Sequence, residues 1–282
     1  MKRPRVSIVI PTFNRAWIIK NAIDSVINQT ISDWELIVVD DGSTDNTQAL
    51  VKSIEEGRIK LFSQKNKGPA EARNLGISKS NGKWIAYLDS DNEFLPNYLE
   101  VMLKHLESDH SKVFAIPKLD YTLEQYENGK LIKTVDYSEK IPDDANISDI
   151  FERTFHFDTN GLMHLRRIFD EGTRWDADVS VMEDWEFALS IGEKYPEGFL
   201  FVPEILANYH QRYGSDGMVA SRSYQDIADG FEVIYSKHKN DKMMKKQKWY
   251  PSRVKKWSEL QKKYEAGDAP PHHEYYFSKL YE

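Results

Sequence analysis

The stretch Trp84-Ile85-Ala86-Tyr87-Leu88-Asp89-Ser90-Asp91 decides the fold. Five mostly apolar residues run directly into two aspartates one residue apart. A short apolar run bounded by polar residues reads as a buried strand. In an open α/β sheet, ligands bind just outside the carboxyl ends of the strands. Two carboxylates at such an edge are costly without a positive partner. A hard divalent cation, which prefers oxygen ligands and bridges protein to phosphate, is the natural one. The competing reading is a turn capped by Asp and Ser, residues that favour turns in any context. Asp-x-Asp alone does not separate the two, so the flanking sequence has to.

Upstream, strands alternate with helices. Val6–Ile10 reads as a first strand ended by Pro11, and Ile18, Ile19, Ala22, Ile23, Val26 and Ile27 then recur at helical spacing. Glu35–Val39 is a second buried strand, ended by Asp40-Asp41-Gly42-Ser43-Thr44-Asp45. A helix follows with Leu50, Val51 and Ile54 inward and Thr44 or Asp45 as its cap. Ile59–Phe62 is a third strand, and Gly68-Pro69 opens a helix through about Lys79. This alternation predicts βαβ units, a parallel sheet and right-handed crossovers.

From about Ser111 the rhythm changes. Val113–Pro117 reads as a strand, and Asn128-Gly129, between Tyr121 and Val135, is a hairpin signal. Ile147–Arg153 reads as a helix, and Gly161–Phe169 fits either type. Glu183–Lys194 is helical with Phe187, Ala188 and Ile191 on one face. Phe199–Leu206 is a strand, Asn208–Gly217 a polar loop and Tyr224–His238 a helix. In the tail, Val254, Trp257, Leu260 and Tyr264 fall on one side of a basic helix. The expected organisation is a nucleotide-type α/β half at 1–110, an acceptor-side half at 111–235 and a helical tail at 236–282.

With 282 residues, 40% apolar and 12% aromatic, the chain suits one large globular domain or two small ones. It has no cysteine, which excludes disulfides, thiolate zinc sites and cysteine nucleophiles, and fits a reducing cytoplasm. Met1–Arg5 is basic, but the apolar run that follows is only Val6–Ile10, too short for a signal-peptide core or a membrane span. Ser236 to Lys263 holds eleven Lys or Arg and two acidic residues, so the remainder carries −16 within a total of −7. An acidic body with a basic tail is not the footprint of a nucleic-acid binder.

Three features sit where first-half strands end: Pro11-Thr12-Phe13-Asn14-Arg15, Asp40-Asp41-Gly42-Ser43 and Asp89-Ser90-Asp91. Parallel strands bring them to one sheet edge. There Phe13 is placed to stack on a base, Asp41 to accept a base N–H, and Asp91 to hold a metal on a diphosphate. Two further stretches, Gly68-Pro69-Ala70-Glu71-Ala72-Arg73-Asn74 and Glu183-Asp184-Trp185, complete five motifs in order. With them the chain, from about residue 5 to about 215, resembles the family 2 glycosyltransferases of the GT-A fold. The expected fold is therefore a Rossmann-like, mostly parallel sheet flanked by helices, with a mixed extension and a helical tail.

The resemblance implies inverting transfer of a sugar from a nucleotide diphosphate sugar, UDP-sugar by analogy, to an acceptor hydroxyl on a glycan or lipid. It implies that Pro11, Thr12, Phe13, Arg15, Asp41, Arg73, Asp89 and Ser90 serve the donor, Arg73 near the base or phosphates and Asp89 at the ribose. It gives Asp91 to Mg²⁺ or Mn²⁺ and makes Asp184 the general base, with Glu183 its rival. The chemistry is coherent: a nucleoside diphosphate leaves when its charge is neutralised. The acceptor hydroxyl attacks once a base takes its proton, from the face that inverting glycosidases also use. A helix start favours the ionised form of Asp184. His210 is a further metal ligand or a structural histidine, and Arg212 is placed for the diphosphate. His156, Asp158 and Asn160 are weaker candidates for sugar contacts, while His164, Arg166-Arg167 and His272-His273 read as surface residues.

The tail helix either lies on an anionic membrane face, giving a peripheral protein on its inner side, or packs its stripe inward. Two other functions compete. A sugar-phosphate nucleotidyltransferase would carry a glycine-rich phosphate loop after the first strand, and Pro11–Arg15 has no glycine. A catalytically silent sugar- or nucleotide-binding subunit has no need of both Asp89/Asp91 and Asp184.

Overall fold

The computed structural model describes residues 3–127, 130–138, 141–142, 144–155, 157–213, 223–246 and 250–269. Asn128-Gly129, His156, residues 214–217 and His272-His273 lie outside them. The strands are β1 (Val6–Thr12), β2 (Trp34–Asp40), β3 (Ile59–Ser63), β4 (Trp84–Tyr87), β5 (Glu93–Phe94), β6 (Phe114–Glu127), β7 (Lys130–Ser138), β8 (Met163–Leu165) and β9 (Phe199–Tyr213). The helices are α1 (Ile19–Ile27), α2 (Thr47–Lys52), α3 (Pro69–Lys79), α4 (Tyr98–Ser108), α5 (Ile147–Glu152), α6 (Arg167–Asp170), α7 (Glu183–Lys194), α8 (Tyr224–His238) and α9 (Tyr250–Glu265).

The sheet runs β3-β2-β1-β4-β8-β6-β9-β5, with β7 paired to β6. Its first four strands are parallel, as the alternation predicts. The extension is mixed: β8 is antiparallel to both β4 and β6, and β5 to β9. β1 and β2 are buried along their whole length, as expected of parallel strands covered on both faces. Register puts Thr12 opposite Asp40 and Asp40 opposite Ser63, so the strand ends form one level edge.

Several elements differ from expectation for identifiable reasons. β1 continues through Pro11 to Thr12. Proline lacks an N–H, but pairing with β4 stops at Val9, the last residue before Pro11 that faces that neighbour. β9 runs on through the expected polar loop to Tyr213, because its polar residues His210 and Arg212 find a partner, Glu124, on β6. Gly161–Phe169 divides into β8 and α6. Tyr98–Ser108, given no element above, forms α4 with Tyr98, Leu99, Met102, Leu103 and Leu106 buried.

Contacts divide the chain into two compact units. The first comprises Met1–Asp120, Ser138–Ala177 and Glu183–Tyr209; the second comprises Tyr121–Tyr137, Asp178–Met182 and His210–Glu282. In the first, α1 buries Ile19, Ala22, Ile23 and Val26, and α3 lies close on β1 at Gly76. A Cβ at Gly76 would overlap the Val9 side chain. In the second, one residue of the tail stripe packs inward: Trp257 on α9 is 7% exposed and stacks on Tyr224 of α8 at 6.1 Å, while Val254 and Leu260 are half-buried and Tyr264 is exposed. Among the described residues no helix is long and apolar enough to cross a membrane.

Candidate active site

The three strand-end motifs meet in the first unit. The N–H of Asp41 donates to the Thr12 carbonyl at 2.8 Å, joining the ends of β1 and β2. Asn14, at φ 53, accepts from the Thr44 N–H at 2.8 Å, while its own N–H donates to Ser43 Oγ at 2.8 Å. Asparagine tolerates this left-handed backbone better than most residues. Arg15 donates its N–H to Thr47 Oγ1, and its Nε lies 3.8 Å from Asp91 Oδ2. The first motif thus touches both the second and the third.

Asp41 is placed less simply than its expected role suggests. One carboxylate oxygen accepts from Gln64 Nε2 and the Lys67 N–H, the other from the Gly68 N–H, all at 2.8–2.9 Å. Gly42, at φ 85, makes room for this loop, since a Cβ there would lie 2.9 Å from the Asn66 nitrogen. In the described structure Asp41 therefore shapes the 64–68 loop. Pro11, Thr12 and Ser90 are buried, whereas Phe13 is 41% exposed and open to stacking.

Arg73 sits at the centre. It is 3% exposed. Its Nη2 donates to Asp89 Oδ1 at 2.9 Å and its Nη1 to Glu183 Oε1 at 3.4 Å. The guanidinium lies 4.7 Å from the centre of the Trp175 ring. Asn74 holds Trp175 in place, its Nδ2 donating to the Trp175 carbonyl and its Oδ1 accepting from the Trp175 N–H. Burial opposes the guanidinium charge, but Asp89, Glu183 and Asp158 outweigh it and raise the pKa above its ordinary value.

The other oxygen of Asp89 accepts from Asn160 Nδ2 at 3.2 Å, and the Asp89 N–H donates to Asn160 Oδ1 at 2.7 Å. Asn160 also donates to Asp158 Oδ1 from its backbone, at 3.0 Å, and from its side chain, at 2.5 Å. Burial, with Asp89 and Asp184 nearby, pushes the Asp158 carboxyl well above the usual carboxylate range. Asp184 lies in the first turn of α7 and accepts the Trp185 N–H at 2.7 Å. Beneath them, Tyr87, His164, Trp175 and Phe187 form an aromatic cluster. His164 is not at the surface: it is fully buried and hydrogen-bonds Tyr87 Oη at 2.7 Å. Burial lowers its pKa to about 4.

The structure thus gathers Pro11–Arg15, Asp41, Arg73, Asp89–Asp91 and Asp184 in one unit. His210 and Arg212 belong to the second, where Glu124 accepts from His210 Nδ1 at 3.0 Å and forms an ion pair with Arg212, whose Nε lies 3.0 Å from Oε2. Among the described residues no three His, Cys, Asp or Glu side chains gather for a metal. Trp175 was not singled out by sequence, since its partner Asn74 is 101 positions away and no local pattern links them.

The chain is similar to several known proteins. Over 112 residues the chain is 48% identical to an uncharacterized glycosyltransferase of Rickettsia bellii, covering 39% of this chain and 16% of the relative. Over 99 residues it is 42% identical to an Escherichia coli protein named UDP-Glc:alpha-D-GlcNAc-diphosphoundecaprenol beta-1,3-glucosyltransferase, covering 35% of this chain and 39% of the relative. The chain thus spans well under half the length of either. The S. aureus TarS structure in complex with UDP-GlcNAc superposes with a TM-score of 0.67 at 18% identity, over 84% of this chain and 67% of that one. At that identity the likeness concerns the fold, which is of the GT-A type. Residues 7–175, well over half of the chain, match the family described as Glycosyl transferase family 2. The protein belongs to that family, as the five ordered motifs lead one to expect.

Proposed function

We propose that this protein moves a sugar from a nucleotide diphosphate sugar, with UDP as the preferred nucleotide, to the hydroxyl of a glycan or lipid-linked acceptor, with inversion at the anomeric carbon. The observation that carries this reading is the Asp89–Arg73–Glu183 bridge. It ties the donor edge of the sheet to the helix start that bears Asp184. On this reading Phe13 stacks on the base, Asp89 meets the ribose and Asp184 takes the acceptor proton. The UDP-GlcNAc complex of TarS and the diphosphoundecaprenol named for the E. coli relative support the choice of donor and acceptor class.

The residues fit a divalent cation carried in with the donor. Both oxygens of Asp89 are engaged, by Arg73 and Asn160; on this reading Asp91, two residues on and ion-paired with Arg15 at 3.8 Å, is the hard oxygen donor at the edge. Mg²⁺ is commonly held by one or two carboxylates together with substrate phosphates, and Mn²⁺ accepts the same ligands. Such an ion neutralises charge on the departing diphosphate. Arg15, beside Asp91, adds a fixed positive charge on the same side.

A thermal-shift screen of UDP-, GDP-, dTDP- and ADP-sugars with and without Mn²⁺ tests the reading. A donor at 100 times its Kd adds about 2.7 kcal/mol to stability. The expected result is a rise in Tm with a UDP-sugar and Mn²⁺ together, lost in Asp91→Asn. A wild-type protein whose Tm responds to no nucleotide sugar overturns it.

A further inference from the structure

We propose that Arg73 is a positioning residue: it locks the start of α7, and with it Asp184, to Asp89, and does not itself grip the donor. This inference rests on the reading of Asp184 as the base. Three observations carry it. Arg73 is 3% exposed, so a ligand arriving at the sheet edge does not reach its guanidinium without rearrangement. Two arms of its fork are already bound, one to the donor-side carboxylate Asp89 and one to Glu183, the residue next to Asp184. Its flat face is covered by Trp175, which Asn74, the neighbour of Arg73, pins through two hydrogen bonds.

Arginine suits this task and lysine does not. A planar fork binds two carboxylates at fixed angles, whereas an ammonium is a point charge on a flexible stem. Met182, which precedes Glu183, has φ 63. A non-glycine residue in that region persists where its surroundings over-determine the backbone. The grip on Glu183 is one such constraint, and it fixes the direction in which Asp184 leaves the helix start. A misplacement of about 1 Å costs on the order of a hundredfold in rate.

The test compares Arg73→Lys, Glu183→Gln and the double variant in the full chain. UDP affinity is read by calorimetry and kcat and KM by a transfer assay with the donor found in the screen. Arg73→Lys is expected to bind UDP within about twofold of wild type while kcat falls about a hundredfold. Glu183→Gln, a milder change at the more exposed partner, should lower kcat in the same direction. Adding it to Arg73→Lys should cost little more, because both cut one link. Glu183→Gln leaves the Arg73–Asp89 link in place, so a loss of UDP affinity in it as large as its loss of kcat would put the effect at the donor and overturn the inference. So would full turnover by Arg73→Lys, or single effects that multiply in the double variant. A wild-type protein that transfers no sugar from any nucleotide donor overturns the reading of the site, and this inference with it.

Discussion

Asp184→Asn removes a proton acceptor and keeps the shape. A positioned general base is worth about 10²- to 10⁴-fold, so kcat should fall within that range while UDP binding stays within about twofold. Rapid-quench transfer and calorimetry would read the two separately. Asp158 invites a different experiment. Its carboxyl is held above the usual range by burial, Asp89 and Asp184. The folded chain then binds more protons than the unfolded one between about pH 4 and the raised value, so stability falls as pH rises through that window. Asp158→Asn removes the charge and keeps the acceptor for Asn160. It should unfold at higher urea than wild type at pH 7 to 8, with the difference gone below about pH 4. Asp91, Asp184 and Arg73 were legible as residue types in ordered motifs. The state of Asp158 was not, because it depends on burial and on carboxylates from β4's end and α7, far away in sequence.

At the scale of elements, α3 is both a core helix and the carrier of Arg73. Gly76 lets it approach β1, and its backbone is not in the left-handed region, so Gly76→Ala acts through crowding against Val9. Overpacking of this kind costs about 1–3 kcal/mol, measurable as a lower urea midpoint. Turnover should fall too, since α3 would shift with Arg73 on it. Most strands and helices of the first half follow from periodicity alone, and α7 and α8 match their predicted bounds. The stripe of α4 is equally regular, whereas β5, two residues long, carries no periodicity. The end of β9 reads as loop because His210 and Arg212 are polar; only the partner Glu124 on β6 explains them as strand.

At the scale of the whole molecule, the basic tail belongs to the fold of the second unit. Trp257→Ala would open the α8–α9 contact at Tyr224, at a cost of about 3 kcal/mol for a large buried ring. Chemical denaturation followed by tryptophan fluorescence and far-UV circular dichroism would show it. With Trp257 packed inward, α9 exposes Tyr264 together with its lysines, and any attraction of those lysines to an anionic bilayer is screened by salt. The sequence reading ran in successive segments, 1–110, 111–235 and 236–282. The two units each draw on three separated stretches, a property of long-range contacts that no local pattern encodes.

That interleaving governs how the protein comes off the ribosome. Arg73 and Glu183 are 110 positions apart. At about 5–20 residues per second, the second partner emerges roughly 5 to 20 s after the first. Until β8 follows, β4 is paired on one side and open on the other. Until then the nascent chain presents a bare strand edge beside Asp89, whose link to α7 through Arg73 is still to form, which makes it a natural client for chaperones that shelter unfinished sheets.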